Sequence, residues 1–329
     1  RVKATLPPEA MPIIHSSYQS PLSLRNGHLA TIYPTLFRRL DSPSIHRERL
    51  ELPDGDFVDL DWSHQKHSRL AVIGHGLEGE SSAKYMRGMT LALQRRDWDT
   101  LAWNCRGCSG EPNRLLRSYH SGVSDDLGHV IDYAISKGHQ SIALIGFSLG
   151  GNIVLKYLGE QGDKLHSEVK AGVAFSVPCD LTSSSLRLAD WDNKIYMSRF
   201  MNGLKDKIIQ KNKKFPGQLN LDGIKHIKTF NQFDDRFTAP LNGFVDARDY
   251  WLRASSKPHL KAIQVPALMI QAANDPFLPE PCFPRKIANT SKSLYLEIPR
   301  HGGHVGFTSR GPEYWSETRC AEFLEEVMP

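Results

Sequence analysis

The stretch Ser141-Ile-Ala-Leu-Ile-Gly-Phe-Ser-Leu-Gly-Gly151 joins an apolar run to a glycine-rich turn. The run from Ser141 to Gly146 predicts a strand that is buried on both faces of a sheet. The turn matches the pattern G-x-S-x-G with Ser148 at its centre, and a helix is predicted to continue over Asn152–Glu160. A strand, a tight turn and a helix in this order form the setting in which a serine can act as a nucleophile. A serine that only caps a helix is the structural alternative.

The two glycines that flank Ser148 have a steric role. Such a turn leaves no room for Cβ atoms beside the serine, and it forces the serine into a strained conformation with its hydroxyl exposed. The helix that follows presents free N–H groups, which favour a developing negative charge. Nucleophilic catalysis is therefore the interpretation we test further along the chain.

A general base is expected after a late strand, because a serine hydroxyl is a weak nucleophile at neutral pH. The strand predicted at Ser293–Ile298 leads into a glycine-rich loop that carries His301 and His304. We select His304, since glycines on both sides of it let its loop approach the serine. His301 is the alternative base.

The acid that orients this histidine should precede it in the chain. The apolar run Ala267–Ala272 predicts a strand, and Asn274-Asp275-Pro276 comes after it. Asp275 is therefore expected at the carboxyl end of this strand, where Pro276 fixes the turn. An aspartate that only closes an Asx-turn is the alternative. The chain order Ser148, Asp275, His304 is the order of the triad in α/β-hydrolases.

Acyl transfer also needs N–H donors for an oxyanion. One is expected to be the backbone N–H of Leu149, directly after the serine. For the other we select the N–H of Leu77, in the loop that follows the predicted strand Leu70–Gly74. His75 opens that loop and is expected to shape it, with a direct chemical role as the alternative.

Apolar runs alternate with amphipathic segments over most of the chain, which predicts an α/β fold with a mostly parallel sheet. A hairpin is predicted from Arg47–Leu52 and Phe57–Trp62, joined at Asp54-Gly55. Further strands are predicted at Thr100–Trp103 and Val169–Ser176, and helices at Ala83–Arg96, Val123–Ser136 and Pro312–Val327. The alternation stops over 179–260, which we interpret as a cap inserted into the core 46–178 and 261–329. Residues 1–45 are expected to be irregular and to pack on that core.

The composition is ordinary for a globular protein and excludes a disordered chain or a small disulfide scaffold. Of 329 residues, 40% are apolar and 23% charged, with 41 basic and 36 acidic side chains and a net charge of +5. The densest lysine cluster has no aromatic partners suited to stacking bases, so no nucleic-acid partner is expected. Its members are Lys205, Lys207, Lys211, Lys213 and Lys214.

The cysteines and the missing nucleotide motifs favour an enzyme without a cofactor. Cys105 and Cys108 have the C-x-x-C spacing of redox or metal sites, but they lie in a glycine-rich strand exit, so reduced thiols are expected. The chain has no P-loop and no G-x-G-x-x-G after an early strand. It has neither an apolar run of about 18 residues nor an apolar leader, so a soluble cytoplasmic protein is expected.

Seven segments share the pattern of one group of hydrolases: Arg25–Ile32, His75–Gly79, Asn104–Gly110, Tyr119–Gly122, Gly146–Asn152, Phe233–Pro240 and Gly302–Phe307. Together with the ordered triad, they make the chain resemble the YheT-like group of α/β-hydrolases. That group is related to the ABHD1/ABHD3-type lipid esterases and to yeast medium-chain fatty acid ethyl ester synthases. The resemblance runs from about Leu24 to the C-terminus.

The resemblance implies an α/β-hydrolase fold with a mostly parallel eight-stranded sheet, helices on both faces and a helical cap. It also implies a serine carboxylesterase in lipid metabolism that acts on short- to medium-chain or lipid esters through Ser148, Asp275 and His304. Where the wider superfamily often has Asp and a second Gly in its strand exit, this chain has Asn104 and Cys108.

Several functional alternatives use the same residues. An acyltransferase or a thioesterase would share the triad, a peptidase is a further catalytic alternative, and a non-catalytic binding protein of the same fold is the alternative from another class. His120 and Asp125 have the H-x4-D spacing linked to acyl transfer, although this spacing is common by chance. The role of Glu78, the acyl length, the mobility of the cap and the oligomeric state stay open.

Apolar residues at helical spacing in the cap allow two interpretations: Met197, Phe200, Met201, Leu204 and Ile208. The face they form either covers the pocket and core, which we favour, or makes a weak contact with a membrane surface.

Overall fold

A nine-stranded sheet forms the centre of the fold, in a computed structural model that describes residues 13–63 and 67–328. Its strands are β1 (Ile13–Ile14), β2 (His46–Glu51), β3 (Phe57–Ser63), β4 (Arg69–Gly74), β5 (Asp99–Asn104), β6 (Ser141–Phe147), β7 (Val169–Phe175), β8 (Ala267–Ile270) and β9 (Leu294–Glu297). Their order across the sheet is β1-β9-β8-β7-β6-β4-β5-β3-β2. β3 pairs antiparallel with β2 and with β5, and the other pairs are parallel.

The count of eight strands implied by the resemblance was one too low. The additional strand is β1, which pairs with β9 at the edge of the sheet through Ile13 and Ile14 alone. Two residues are too short to show the period-two pattern from which a strand is predicted. The mostly parallel α/β architecture itself is confirmed.

Helices lie on both faces of the sheet and in the segment between β7 and β8. In the described residues they are α1 (Gly27–Phe37), α2 (Lys84–Gln94), α3 (Ser124–Ser136), α4 (Leu149–Gln161), α5 (Leu181–Leu188), α6 (Lys194–Lys214), α7 (Phe230–Phe233), α8 (Ala239–Leu241), α9 (Ala247–Ala254), α10 (Arg285–Ala288) and α11 (Trp315–Val327). Ile142 and Leu144 of β6 contribute to the core beneath α3 and α4. Ala143 and Ile145 contribute to the core beneath α2 and α11. This alternation explains why the β6 run is apolar throughout.

The segment between β7 and β8 contains helices and no strand, over residues 176–266, all of which the structure describes. Met197, Met201 and Ile208 of α6 are buried in the larger core. The apolar face of α6 therefore packs inward, as the favoured interpretation expected, and these three side chains are not free to contact a membrane.

The expectation of an irregular N-terminal segment was wrong for Gly27–Phe37. Helix α1 lies within it, and Asn26 caps this helix by accepting hydrogen bonds from the N–H groups of His28 and Leu29. Pro34 sits inside the helix, where the sequence favoured an interruption. Residues 1–12 lie outside the described residues.

Candidate active site

Ser148 lies between β6 and α4 in a conformation that L-residues seldom adopt, with φ of 53°. A Cβ atom on Gly146 would lie 2.4 Å from the carbonyl oxygen of Gly150, and one on Gly150 would lie 2.5 Å from the carbonyl oxygen of Gly74. Neither position can carry a side chain, which is the steric reason expected from the sequence. The hydroxyl of Ser148 makes no capping hydrogen bond to α4.

Ser148, His304 and Asp275 form a chain of hydrogen bonds. The Oγ atom of Ser148 lies 2.8 Å from Nε2 of His304, and Nδ1 of His304 lies 2.9 Å from Oδ2 of Asp275. The Asp275 side chain is fully buried and that of His304 nearly so. A buried carboxylate on Nδ1 holds the ring in the tautomer that leaves Nε2 free to accept the serine proton.

Asp275 uses its two oxygens for different purposes. Oδ1 accepts the N–H of Phe277 at 2.8 Å and closes a turn, while Oδ2 faces His304. The Phe277 ring also packs 4.3 Å from the His304 ring, measured between centroids. The Asx-turn considered as an alternative is therefore present, and it fixes the carboxylate that orients the imidazole.

The loop that carries His304 is held by two hydroxyl groups that sequence reasoning missed. Oγ1 of Thr31 in α1 accepts the His304 N–H at 2.8 Å, and Oγ of Ser176 accepts the Val305 N–H at 2.9 Å. A Cβ atom on Gly303 would lie 2.5 Å from the Gly27 carbonyl oxygen, so the loop must have glycine there to pack on α1. No spacing in the sequence links these positions, because they meet only in the folded chain.

His301 lies apart from this hydrogen-bond chain. Its Nδ1 atom is 3.1 Å from the carbonyl oxygen of Arg25. Of the two histidines considered as the base, the structure brings His304 to Ser148.

The two amides selected as oxyanion donors lie beside the serine. Leu149 is the first residue of α4, and Leu77 and Leu149 both line the cavity that contains Ser148. Neither amide donates a hydrogen bond to a residue that the structure describes. Neither N–H group is thus committed to another acceptor among these residues.

The loop that carries Leu77 is shaped by His75 and Tyr85. His75 is buried, with Nδ1 2.8 Å from the Gly76 carbonyl oxygen, and its Nε2 accepts the Cys105 N–H. Burial lowers the pKa of His75 to about 4, so the ring is neutral at pH 7. The hydroxyl of Tyr85 accepts the Gly76 N–H at 2.9 Å. His75 therefore shapes the loop, as expected, and takes no part in the hydrogen-bond chain of Ser148.

Glu78 ties the same loop to helix α6. It has a left-handed backbone with φ of 53°. The Lys207 ammonium donates to its Oε1 at 2.9 Å, and the Tyr119 hydroxyl donates to the same oxygen while accepting the Glu78 N–H. A Cβ atom on Gly203 would lie 2.6 Å from Oε2 of Glu78. We call the Glu78–Lys207 ion pair the loop latch; the sequence left the role of Glu78 open.

Two cavities meet at Ser148 and His304. One, of about 90 Å³, is mostly apolar and lies beneath the helical segment 179–260. Its apolar lining includes Leu181, Leu188, Phe200, Phe230 and Leu278. The other is an open groove of about 470 Å³ between α1 and α6. The serine therefore lies between a small apolar cavity and a larger groove.

His120 and Asp125 do not form a pair by hydrogen bonding. The His120 ring packs edge-on against Phe244 and Tyr250, and burial lowers its pKa to about 3. Asp125 pairs with Arg117 at 2.6 Å. The two residues of the H-x4-D spacing thus make separate contacts.

Asp234 is a buried carboxylic acid in the wall of the small cavity, and sequence reasoning missed it. It begins a π-helical turn, Asp234–Thr238. Its oxygens accept the hydroxyl of Thr238 and the indole N–H of Trp251. Burial raises its pKa to about 7.

The five cysteines are free thiols and all are buried. Within residues 13–63 and 67–328, no group of three His, Cys, Asp or Glu side chains could hold a metal ion. Among the helices of the same residues, none has both the length and the apolarity needed to cross a bilayer.

The fold and this arrangement define the class of protein. The chain belongs to the α/β-hydrolase fold family, whose family model matches residues 72–310. It is 38% identical over 313 residues to YheT of Escherichia coli K12, across 92% of this chain and 91% of that protein. The name of that relative assigns it provisionally to the esterases.

More distant relatives support the same family. The chain is 25% identical over 307 residues to the human phospholipase ABHD3, across 90% of this chain and 75% of that protein. The solved structure of the Pyrococcus furiosus esterase Pf2001 superposes with a TM-score of 0.59 at 17% identity, across 87% of this chain and 92% of that one; this likeness supports the fold alone. The resemblance to the YheT-like and ABHD3-type group is thereby confirmed.

Proposed function

We propose that the protein is a serine carboxylesterase that cleaves short- to medium-chain or lipid carboxylic esters through an acyl-enzyme on Ser148. The observation that carries the proposal is the hydrogen-bond chain from Ser148 through His304 to Asp275. The esterase and phospholipase names of the relatives support the same class of reaction.

In the first half of the reaction, Nε2 of His304 takes the proton of the Ser148 hydroxyl as its oxygen attacks the ester carbonyl carbon. Asp275 stabilises the imidazolium that forms. The negative charge on the former carbonyl oxygen is met by the N–H groups of Leu77 and Leu149. His304 then gives its proton to the departing alcohol oxygen, and the acyl group stays on Ser148.

In the second half, water enters from the groove and gives a proton to His304 as it attacks the acyl-enzyme. The acid leaves and Ser148 regains its proton. We assign the small apolar cavity to the acyl chain, since most of its lining is apolar and includes several leucine and phenylalanine side chains. We assign the alcohol part to the open groove. In this proposal, residues 179–260 act as a cap that limits acyl length.

Ser148→Ala should lower kcat/KM for p-nitrophenyl butyrate by about 10³-fold or more, because the variant lacks the nucleophile. Ser167→Ala, a change at an exposed serine, is the matched control and should keep wild-type turnover. Undiminished turnover by Ser148→Ala would contradict the proposal.

The choice of acceptor and substrate class is tested separately. An acyltransferase would form an ester when glycerol or ethanol is supplied, whereas an esterase releases the free acid. A thioesterase would prefer acyl thioesters over the matching oxygen esters. A binding protein without activity would not react with a fluorophosphonate probe.

A further inference from the structure

Helix α1 presents an apolar face to solvent. Leu29, Tyr33, Leu36 and Phe37 are between 41% and 63% exposed, and their spacing places them on one face of the helix. The opposite side of α1 packs on the His304 loop, where a Cβ atom on Gly306 would lie 2.3 Å from the Ala30 carbonyl oxygen. Helix α1 thus has one side exposed to solvent and the other side packed on the His304 loop.

A second exposed apolar segment lies next to this helix. Trp191, in the turn before α6, is 81% exposed, and Ile195, in the first turn of α6, is 77% exposed. His28 of α1 joins the two segments: its ring stacks on Tyr196 with centroids 5.7 Å apart, and its Nε2 lies 3.7 Å from Oδ2 of Asp192. We call the exposed side chains of Leu29, Tyr33, Leu36, Phe37, Trp191 and Ile195 the apolar rim.

The groove that contains Ser148 borders the apolar rim. Leu36 from α1 and Tyr196 from α6 both line it, and Ser148 and His304 lie within it. The apolar rim therefore lies beside the groove and shares Leu36 with its lining. Large exposed apolar groups gathered beside such a groove mark an interaction surface.

Basic side chains lie in or next to the segments that form the apolar rim. Arg25, Arg39, Lys194 and Arg199 are exposed, and the Lys84 ammonium lies 3.1 Å from the Leu36 carbonyl oxygen. Nearby carboxylates are fewer: Asp190 and Asp192 are paired with Arg187, while Asp41 and Glu80 are exposed. The excess of positive charge is complementary to an anionic surface.

We propose that the apolar rim docks this protein on the surface of an anionic lipid bilayer, with the groove facing the lipid. Apolar side chains on a helix face enter the boundary between headgroups and acyl chains, and basic side chains contact the anionic headgroups. The link to catalysis rests on the proposed function, since docking places the groove where lipid esters are concentrated. The docking itself is independent of the chemistry.

The test is co-sedimentation of the Ser148→Ala protein with phosphatidylcholine vesicles, with and without phosphatidylglycerol. Binding should be stronger with phosphatidylglycerol. Adding Phe37→Ser and Trp191→Ser should weaken binding by about tenfold or more, since both side chains leave the rim. Val245→Ser, at a residue 86% exposed outside the rim, is the control and should bind like the parent protein.

Equal binding by the rim variant and the control, or no binding by the parent, would overturn the proposal. A dimer in sedimentation velocity that the rim substitutions dissociate would also overturn it and assign the face to a second copy of the chain. Far-UV circular dichroism confirms that each variant is folded. Because the assay uses a protein without the nucleophile, its result stands whether or not the wild type cleaves esters.

Discussion

Replacing Lys207 by methionine should lower kcat for ester hydrolysis about tenfold and leave KM close to its wild-type value. Lys207 forms the loop latch with Glu78, which directly follows Leu77, the residue to which we assign an oxyanion donor. Glu78 has a positive φ, so the loop conformation must be held by contacts. Without the ammonium group, the Glu78 carboxylate keeps the Tyr119 hydroxyl and loses its counter-charge.

The expected loss of kcat follows from how deeply the Glu78–Lys207 pair is buried. Exposed ion pairs contribute about 0.2–1 kcal/mol, and breaking a buried pair costs about 3–5 kcal/mol. The side chains of Lys207 and Glu78 are 32% and 14% exposed, so about 1–2 kcal/mol is expected between these limits. Complete loss of one oxyanion donor costs about 10²–10³ in kcat, which sets the upper bound.

Steady-state kinetics with p-nitrophenyl butyrate measures the effect. Lys205→Met is the matched control, because Lys205 is on the same helix and its ammonium is exposed. Lys207→Arg should recover most of the activity, since a guanidinium can pair with the same carboxylate. A kcat for Lys207→Met within about twofold of the control, or a loss confined to KM, would refute the assigned role of the latch.

The remaining predictions concern stability and the serine turn. Gly150→Ala places a Cβ atom 2.5 Å from the Gly74 carbonyl oxygen, so Tm and ester turnover should both fall; wild-type values would contradict the steric reason. Arg38→Met leaves the buried carboxylate of Glu317 without its counter-charge. It should lower the free energy of unfolding in urea by about 3–5 kcal/mol. A loss of less than about 1 kcal/mol would contradict the importance of this pair. Native Asp234 holds its proton more tightly than the unfolded chain does, since its pKa rises from 3.8 to about 7. This group therefore makes the free energy of unfolding fall as the pH rises from about 4 to about 7. The free energy of unfolding of Asp234→Asn should exceed that of the wild type by more at pH 8 than at pH 5. Equal differences at the two pH values would contradict this.

The sheet and the site could be predicted because both leave local patterns in the sequence. Strands such as β6 are buried on both faces, so they appear as short apolar runs. The glycines beside Ser148 are required by backbone contacts within the turn itself, which gives a compact motif. The proposed triad could be selected because each of its members follows a strand, and the three keep a fixed order along the chain.

Helix α1 was missed because its pattern differs from that of a helix that packs on a core. Its apolar residues face solvent, and Ala30 is its buried residue. Pro34 inside the helix also favoured an irregular segment. Asn26 was a capping signal in the sequence, and it could have located the start of the helix.

Contacts between distant segments could not be predicted. Lys207 and Glu78 are 129 positions apart, and Thr31 and His304 are 273 positions apart. A single sequence carries no signal for such pairs, since they depend on the path of the whole chain. The same holds for Asp234, whose raised pKa results from burial that arises only when the chain has folded.

The measurement that tests the central claim most directly is the detection of the acyl-enzyme. The wild-type protein is mixed with p-nitrophenyl butyrate, quenched in acid within the first turnover, digested and analysed by mass spectrometry. The peptide that contains Ser148 should carry one butyryl group, and neither Ser148→Ala nor acid-denatured wild type should carry it. Ester turnover with the acyl group on another residue, or with no acylated Ser148 at any quench time, would contradict the account.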